Sequence, residues 1–234
     1  SNGTAPDLFA GADLVNDAAK GRLLPVSELT GGDELIEKYN DYLREGLEIT
    51  GGKVYSIPYG FTTYGLIYNK DMFKAAGIVD ENGEAKPPKT LSEMREYAKK
   101  LTNASKKEYG YILPTKDNLA YDLDIGKWSM TVCGFPNGAN PKTGKRDVTG
   151  ITKMTKSINA LVNDKSIMPG SESMTNDAGR AKFSAGGVGM KSAGSYDFGV
   201  LTEQFPAKID WGVAPFPGNE DGETKYRSYA EVTR

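Results

Sequence analysis

Three groups of residues in this chain could do chemistry. Asp122 and Asp124 stand two residues apart, with Tyr121 before them and Trp128 after. At helical spacing 121, 124 and 128 share a face, and 122 lies beside it. A carboxylate accepts from hydroxyls while a ring covers an apolar C–H face, which is how proteins hold sugars. Cleaving a glycosidic bond takes two carboxylates facing each other across it, and two aspartates on one element cannot straddle a bond. A solvated helix end is the plain alternative. The second group is Gly194-Ser195-Tyr196-Asp197, after a glycine-rich run. A strand end that leads into a helix start presents N–H groups and a ring, a frequent place for ligands. An ordinary N-cap serine explains Ser195 equally well. The third group is Tyr55, Tyr59, Tyr64 and Tyr68, amphipathic rings along one extended stretch. Such rings suit a surface that is wet when open and apolar when closed on a ligand; core or strand-edge packing is the other reading.

Absences narrow the chemistry further. The chain has 234 residues and no histidine, so Ser-His-Asp and Cys-His catalysis and histidine-based zinc sites are excluded. The single cysteine, Cys133, cannot form an internal disulfide and lies in an apolar stretch, where a buried inert thiol is expected. Gly186-Gly187-Val188-Gly189 lacks dinucleotide spacing and precedes a strand rather than following one. The acidic turn Asn219-Glu220-Asp221-Gly222-Glu223 lacks the spacing of a calcium loop. Net charge is -2 with no basic block, so no electrostatic case for nucleic acid exists. No apolar run approaches the ~18 residues that span a bilayer. Neither a cofactor nor a metal is expected.

The elements that must position these residues alternate, so the class is α/β. Asp7 to Ala10 reads as a short buried strand, and Ala12 to Lys20 as a helix stopped by Gly21. Asp33 is expected to cap a helix carrying Leu35, Tyr39, Leu43 and Leu47. β-type runs follow at 53–58 and 63–69, then a helix from Met72 to the Gly77 stop. Thr90-Leu91-Ser92-Glu93 fits a capping box ahead of the stripe Leu91, Met94, Ala98 and Leu101. Tyr109 to Leu113 reads as a strand, 118–133 as helical, and 140–147 as a polar loop. Ile151, Met154, Ile158, Leu161 and Val162 make the clearest helical stripe. Asn176-Asp177 should cap a helix through Phe183, ahead of strands at 188–191 and 211–215. An acidic turn covers 218–224, and 226–233 should be extended.

Seven phrases taken together resemble the maltose-binding-protein-like, family 1 extracellular solute-binding proteins of ABC sugar importers. They are Pro6-Asp7-Leu8-Phe9-Ala10 with Asp13; Gly21-Arg22-Leu23-Leu24-Pro25-Val26; Gly52 to Tyr59; and Leu66-Ile67-Tyr68-Asn69-Lys70-Asp71. The others are Pro87 to Met94; Phe183 to Met190 with Gly194-Ser195-Tyr196; and Trp211 to Pro217. They stand in the family's order, and they are specific to the family rather than to a substrate. The resemblance implies a type II periplasmic-binding-protein fold: two α/β lobes joined by crossing strands, with the ligand in the cleft between them. It places a partial first lobe at 1–62, the second lobe at 63–226, and a second crossing strand returning to the first lobe at 227–234. Members begin before the first phrase and continue past the second crossing, so the resemblance implies a fragment with an incomplete first lobe.

The resemblance also carries over residues. Asp13 falls on a sugar-hydroxyl acceptor after the first-lobe strand. Tyr59, Thr62 and Tyr64 fall on the crossing segment's ligand contacts, where many sugar binders carry a carboxylate and this chain has Thr62. Tyr121, Asp122 and Trp128 fall on the second lobe's aromatic and acidic patch, and Tyr196 on the ring-stacking aromatic, often tryptophan in relatives. The implied function is capture of a carbohydrate, an oligosaccharide above all, by hinge closure and its delivery to ABC permease subunits. No bond is made or broken. The implied location is extracytoplasmic, periplasmic or as a cell-surface lipoprotein, with membrane contact only through a lipid anchor outside this segment. The alternatives are a glycan-active enzyme using Asp122 or Asp124 with a distant acid such as Glu231, and a binder of another solute class, such as a polyamine, iron or a phosphate ester.

Overall fold

The computed structural model describes residues 6–9, 13–117, 122–133, 145–146, 148–218 and 230–233. Tyr121, the Cys133 thiol, the Glu231 side chain and the acidic turn at 219–223 lie outside the described residues. The chain divides into unit 1, residues 1–62 with 230–234, and unit 2, residues 63–229.

Unit 1 is built of short elements. Helix α1 (Leu14–Ala19) starts at Asp13, whose carboxylate accepts from the Asn16 N–H. Helix α2 (Gly32–Tyr39) starts one residue ahead of the expected cap, with Gly31 in the left-handed region. A Cβ on Gly32 would stand 1.7 Å from the Val26 carbonyl oxygen, so a backbone packing that only glycine allows fixes the helix start. Asp33 therefore falls in the first turn rather than at the cap. Strands β1 (Ile49–Thr50) and β2 (Lys53–Val54) form a hairpin across Gly51-Gly52. Both glycines have positive φ, 57° and 74°, as a tight two-residue turn between right-twisted strands requires. Over the described residues 6–9 the expected strand at the start of the chain does not form. Asp7 and Leu8 bend, Leu8 is 90% exposed, and no described strand pairs with them.

Unit 2 is organised by a mixed sheet. Strand β3 (Gly60–Asn69) enters it from unit 1 and runs longer than its apolar run. Helices α3 (Lys70–Ala75) and α4 (Leu91–Lys100) follow, then strand β4 (Tyr109–Tyr111). A wide π-helical stretch at Asp122–Lys127 leads into α5 (Trp128–Cys133). Helices α6 (Thr149–Asn163) and α7 (Asn176–Ser184) precede strand β5 (Val188–Gly194). A short helix α8 (Asp197–Gly199), strand β6 (Trp211–Ala214) and strand β7 (Ala230–Thr233), which belongs to unit 1, complete the described chain. The strand order is β4-β5-β3-β6. β4 and β5 run parallel, while β3 is antiparallel to β5 and β6.

The register assigns the two faces. Leu66 and Tyr68 stand opposite Ser192 and Met190, and they pack with Phe73, Met94, Trp128 and Leu161 in the larger apolar cluster. Ile67 and Ala193 face the other way, into a cluster with Ile112, Phe183 and Leu201. Capping chemistry works as its residue types dictate on α4. The Thr90 hydroxyl accepts from the Glu93 N–H at 3.1 Å, and Glu93 reaches back to the Lys89 N–H at 2.6 Å. On α7 the cap is Thr175, which accepts from Ala178 at 3.3 Å, so Asn176-Asp177 sit inside the helix. The stripe on α6 is buried at Met154, Ile158 and Leu161, while Val162 points outward, since adjacent residues cannot share a helix face.

Candidate functional site

The candidate site lies in unit 2, where Thr63 and Tyr64 of β3 meet the end of β5. Tyr64 stands directly opposite Gly194. Past Gly194 the chain turns sharply, and Ser195 fastens that turn to β3. Its N–H donates to the Thr63 carbonyl at 2.8 Å, and its hydroxyl accepts from the Thr63 N–H at 3.4 Å. Ser195 is thus a strand-to-strand tie and caps no helix. Tyr196 is 40% exposed, with the Arg180 guanidinium carbon 5.5 Å from its ring centre. Asp197 is buried. One of its oxygens accepts from Arg180 Nε at 2.5 Å and the other from the Gly194 N–H at 2.8 Å.

The acidic end of the site comes from the π-helical stretch. Asp122 is half-exposed and lies 3.7 Å from Lys127 Nζ, which itself sits 5.5 Å over the Tyr64 ring. Asp122, Lys127 and Tyr64 therefore form one connected patch. Asp124, two residues on, belongs to the interior. It accepts from the Tyr111 hydroxyl and, at 2.8 Å, from the Ser192 hydroxyl. Burial pushes its carboxyl up to about 6, against the pull of Tyr111, Lys191 and Ser192. Both carboxylate oxygens are occupied by protein donors, so Asp124 does not face Asp122 across a gap. Lys191 is also buried. Its Nζ donates to the Ser192 carbonyl at 2.8 Å, and burial holds it below the usual lysine range while Asp197 and Asp124 oppose that shift.

Trp128 corrects the sequence reading. Its indole is fully buried, donates to the Pro217 carbonyl at 2.8 Å and stacks on Phe216 with centroids 4.7 Å apart. With both faces and the N–H committed to the core, it has no surface left for a ligand. Tyr121 lies outside the described residues. In unit 1, Asp13 is exposed, and bonds from Asn16 hold its carboxyl below the usual range. Tyr59 is 69% exposed and Thr62 half-buried in β3.

A cavity of about 280 Å³ adjoins the same turn, lined among others by Tyr64, Gly194, Ser195, Asp197, Phe198 and Trp211. Neither Tyr196 nor Asp122 lines it. No group of three or more His, Cys, Asp or Glu residues able to hold a metal occurs among the described residues. No described helix is long and apolar enough to cross a membrane. Sequence reasoning missed Arg180, Lys127 and Lys191. A lone lysine or arginine carries no motif, and the site contacts of Arg180 with Asp197 and of Lys127 with Tyr64 join separate elements. The one available signal was Asp177-x-x-Arg180, a helical i,i+3 ion pair at 2.7 Å.

Known proteins support this reading of the fold. A family 1 extracellular solute-binding protein from Bifidobacterium longum subsp. infantis superposes with a TM-score of 0.71 at 24% identity, covering 99% of this chain and 57% of its own. A chitin oligosaccharide binding protein superposes with a TM-score of 0.67 at 19% identity, covering 97% of this chain and 56% of its own. These likenesses give the type II periplasmic-binding-protein fold. Among curated relatives, a maltotriose-binding protein of Pyrococcus abyssi is 34% identical over 114 residues, 48% of this chain and 22% of its own length. The sn-glycerol-3-phosphate-binding periplasmic protein UgpB of Brucella abortus is 37% identical over 107 residues, 44% of this chain and 24% of its own. A binding protein of the same organism is 25% identical over 175 residues, 74% of this chain and 40% of its own. The chain thus spans less than half the length of these curated relatives. A family model described as bacterial extracellular solute-binding protein matches residues 1–233, and the chain belongs to that family.

Proposed function

We propose that this chain is the ligand-holding part of an extracytoplasmic protein that captures a neutral carbohydrate, preferentially an oligosaccharide, for an ABC importer. The observation that carries the reading is the Tyr196 ring, exposed on a turn whose other members are pinned and whose Gly194 stands opposite Tyr64, itself in one patch with Lys127 and Asp122. An open ring offers its face to sugar C–H groups, and a nearby carboxylate accepts hydroxyls. Charge at the site favours a neutral ligand over a phosphate ester. Arg180 is countered by Asp177 and Asp197, Lys127 lies near Asp122, and Lys191 is buried. Among the described residues a phosphate would find no cation there that a carboxylate or the interior has not already engaged. The names of the maltotriose and chitin oligosaccharide relatives agree with a carbohydrate, while the UgpB relatives keep the phosphate ester in the test.

In this reading residues 1–62 are part of a first lobe, 63–226 the second lobe, and 227–234 a return crossing. Closure works by population shift, the ligand binding the closed form better. Asp13, Tyr59 and Thr62 would be first-lobe contacts. The partners are permease subunits, membrane attachment is through a lipid anchor, and the protein is not an enzyme. A thermal-shift panel of maltotriose, stachyose, ribitol, sn-glycerol 3-phosphate and spermidine tests it. A ligand at 100 times its dissociation constant stabilises by about 2.7 kcal/mol, a clear rise in Tm. A rise with the neutral sugars alone is expected. A rise with the phosphate ester or the polyamine alone, or a flat panel, overturns the proposal for this chain. By titration calorimetry Tyr196→Ala should weaken sugar binding far more than Tyr109→Ala, and equal losses would remove Tyr196 from the site.

A further inference from the structure

We propose that Arg180 is the positioning residue of the Tyr196 ring, a role that rests on reading Tyr196 as the ligand-stacking residue. Arg180 stands on α7, sixteen positions before Tyr196, and touches the turn at two levels. Its guanidinium lies over the ring at 5.5 Å, a cation–π contact. Its Nε donates to the buried Asp197, and its Nη1 donates to Asp177 at 2.7 Å. Two carboxylates thus hold the planar fork in one orientation, and the ring rests on a fixed cation rather than a mobile one.

Gly194 completes the clamp. A Cβ at this residue would stand 2.4 Å from Tyr196 Cε1, so the ring occupies the space a side chain would fill. The same glycine donates its N–H to Asp197, the acid that Arg180 grips. Ring, glycine, aspartate and arginine therefore form a closed loop of contacts. Within residues 194–197, Gly194 and Asp197 are buried, Ser195 is half-buried and Tyr196 alone is exposed. A turn fixed at three positions and open at the fourth is a rigid platform. It spares a stacking ligand the cost of ordering the ring.

The test is a double-mutant cycle on the full chain, read by titration calorimetry with maltotriose and stachyose. Arg180→Met should weaken binding about tenfold where Tyr196 is present. In the Tyr196→Ala background it should change nothing further, because Arg180 acts through the ring. Gly194→Ala, which displaces the ring, should reproduce the loss and not add to it. Equal losses from Arg180→Met in both backgrounds, or no loss beside a clear loss for Tyr196→Ala, overturn the proposal. If Arg180→Met does not fold, Arg180→Lys serves, keeping a cation near the ring but losing the fork, with a smaller loss expected. A ligand-free readout separates the clamp from the stacking role. In a Tyr196→Trp reporter, Arg180→Met should raise acrylamide quenching of the new indole. If Tyr196→Ala leaves affinity untouched, the stacking role fails while a quenching change still supports the clamp; unchanged quenching overturns the clamp itself.

Discussion

The two units treat their apolar residues differently. In unit 2 Phe73, Trp128, Met94, Leu161 and Met190 are fully buried on one sheet face, and Ile112 and Phe183 on the other. In unit 1 the described buried apolar residues are Leu14 and Val26, while Leu8, Leu24, Tyr59 and Phe61 are largely exposed. Its hairpin strands are two residues each, and its Tyr42 and Phe61 rings meet 5.4 Å apart with about half of each in water. Unit 2 follows the rule that a sheet with helices on both faces buries two cores. The contrast teaches where stability should reside: a substitution matters in proportion to the apolar surface it uncovers, and unit 1 has little of that surface covered.

The sharpest way to break this comparison is Trp128→Ala. It removes a sealed indole, its stack on Phe216 and its bond to Pro217, and should cost about 3–5 kcal/mol in chemical denaturation. Next comes the buried acid of unit 2. The folded-state pKa of Asp124, about 6, exceeds its unfolded value of 3.8. Its contribution is therefore complete below 3.8 and is lost as pH rises through 6. Asp124→Asn should flatten the stability profile across that window by an amount on the order of 3 kcal/mol. Parallel profiles of the two proteins would refute the assignment. Gly52→Ala places a side chain at φ 74° in the unit 1 hairpin and should cost about 1 kcal/mol. Hydrogen exchange should show its effect confined to 49–55, with unit 2 amides unmoved. The smallest effect belongs to Leu24→Gln at a 65% exposed position, within about 0.5 kcal/mol and with no shift in Tm. A large loss there would mean that unit 1 covers Leu24 in solution.

Much of the scaffold was legible because local physics decides it. Thr90 and Glu93 cap α4 through bonds that span four residues. The α6 stripe is buried at Met154, Ile158 and Leu161 but not at Val162, and Gly21 and Gly77 follow helix ends with positive φ. Misreadings arose where a tertiary contact outbid a local preference. Asp33 lost the cap position to a glycine packed on Val26, whereas Asn176 lost it to a neighbour, Thr175, by a local bond. The Asp7–Ala10 run reads as a strand only if another strand lies beside it, and no described strand pairs with its described residues 7–9.

The candidate site divides in the same way. Residue types and order alone carried the family resemblance, the α/β class and the choice of Tyr64, Asp122, Ser195 and Tyr196, because motifs and strand ends are written in consecutive residues. Which carboxylate meets solvent was settled by the fold, since Asp122 and Asp124 differ in surroundings and not in sequence. Trp128 went into the core for the same reason, as Phe216 and Pro217 reach it from far along the chain. The Arg180–Asp197–Gly194 clamp under Tyr196 is likewise a tertiary product. Burial and long-range contact depend on how distant segments fold back, and no local pattern of residues encodes that distance.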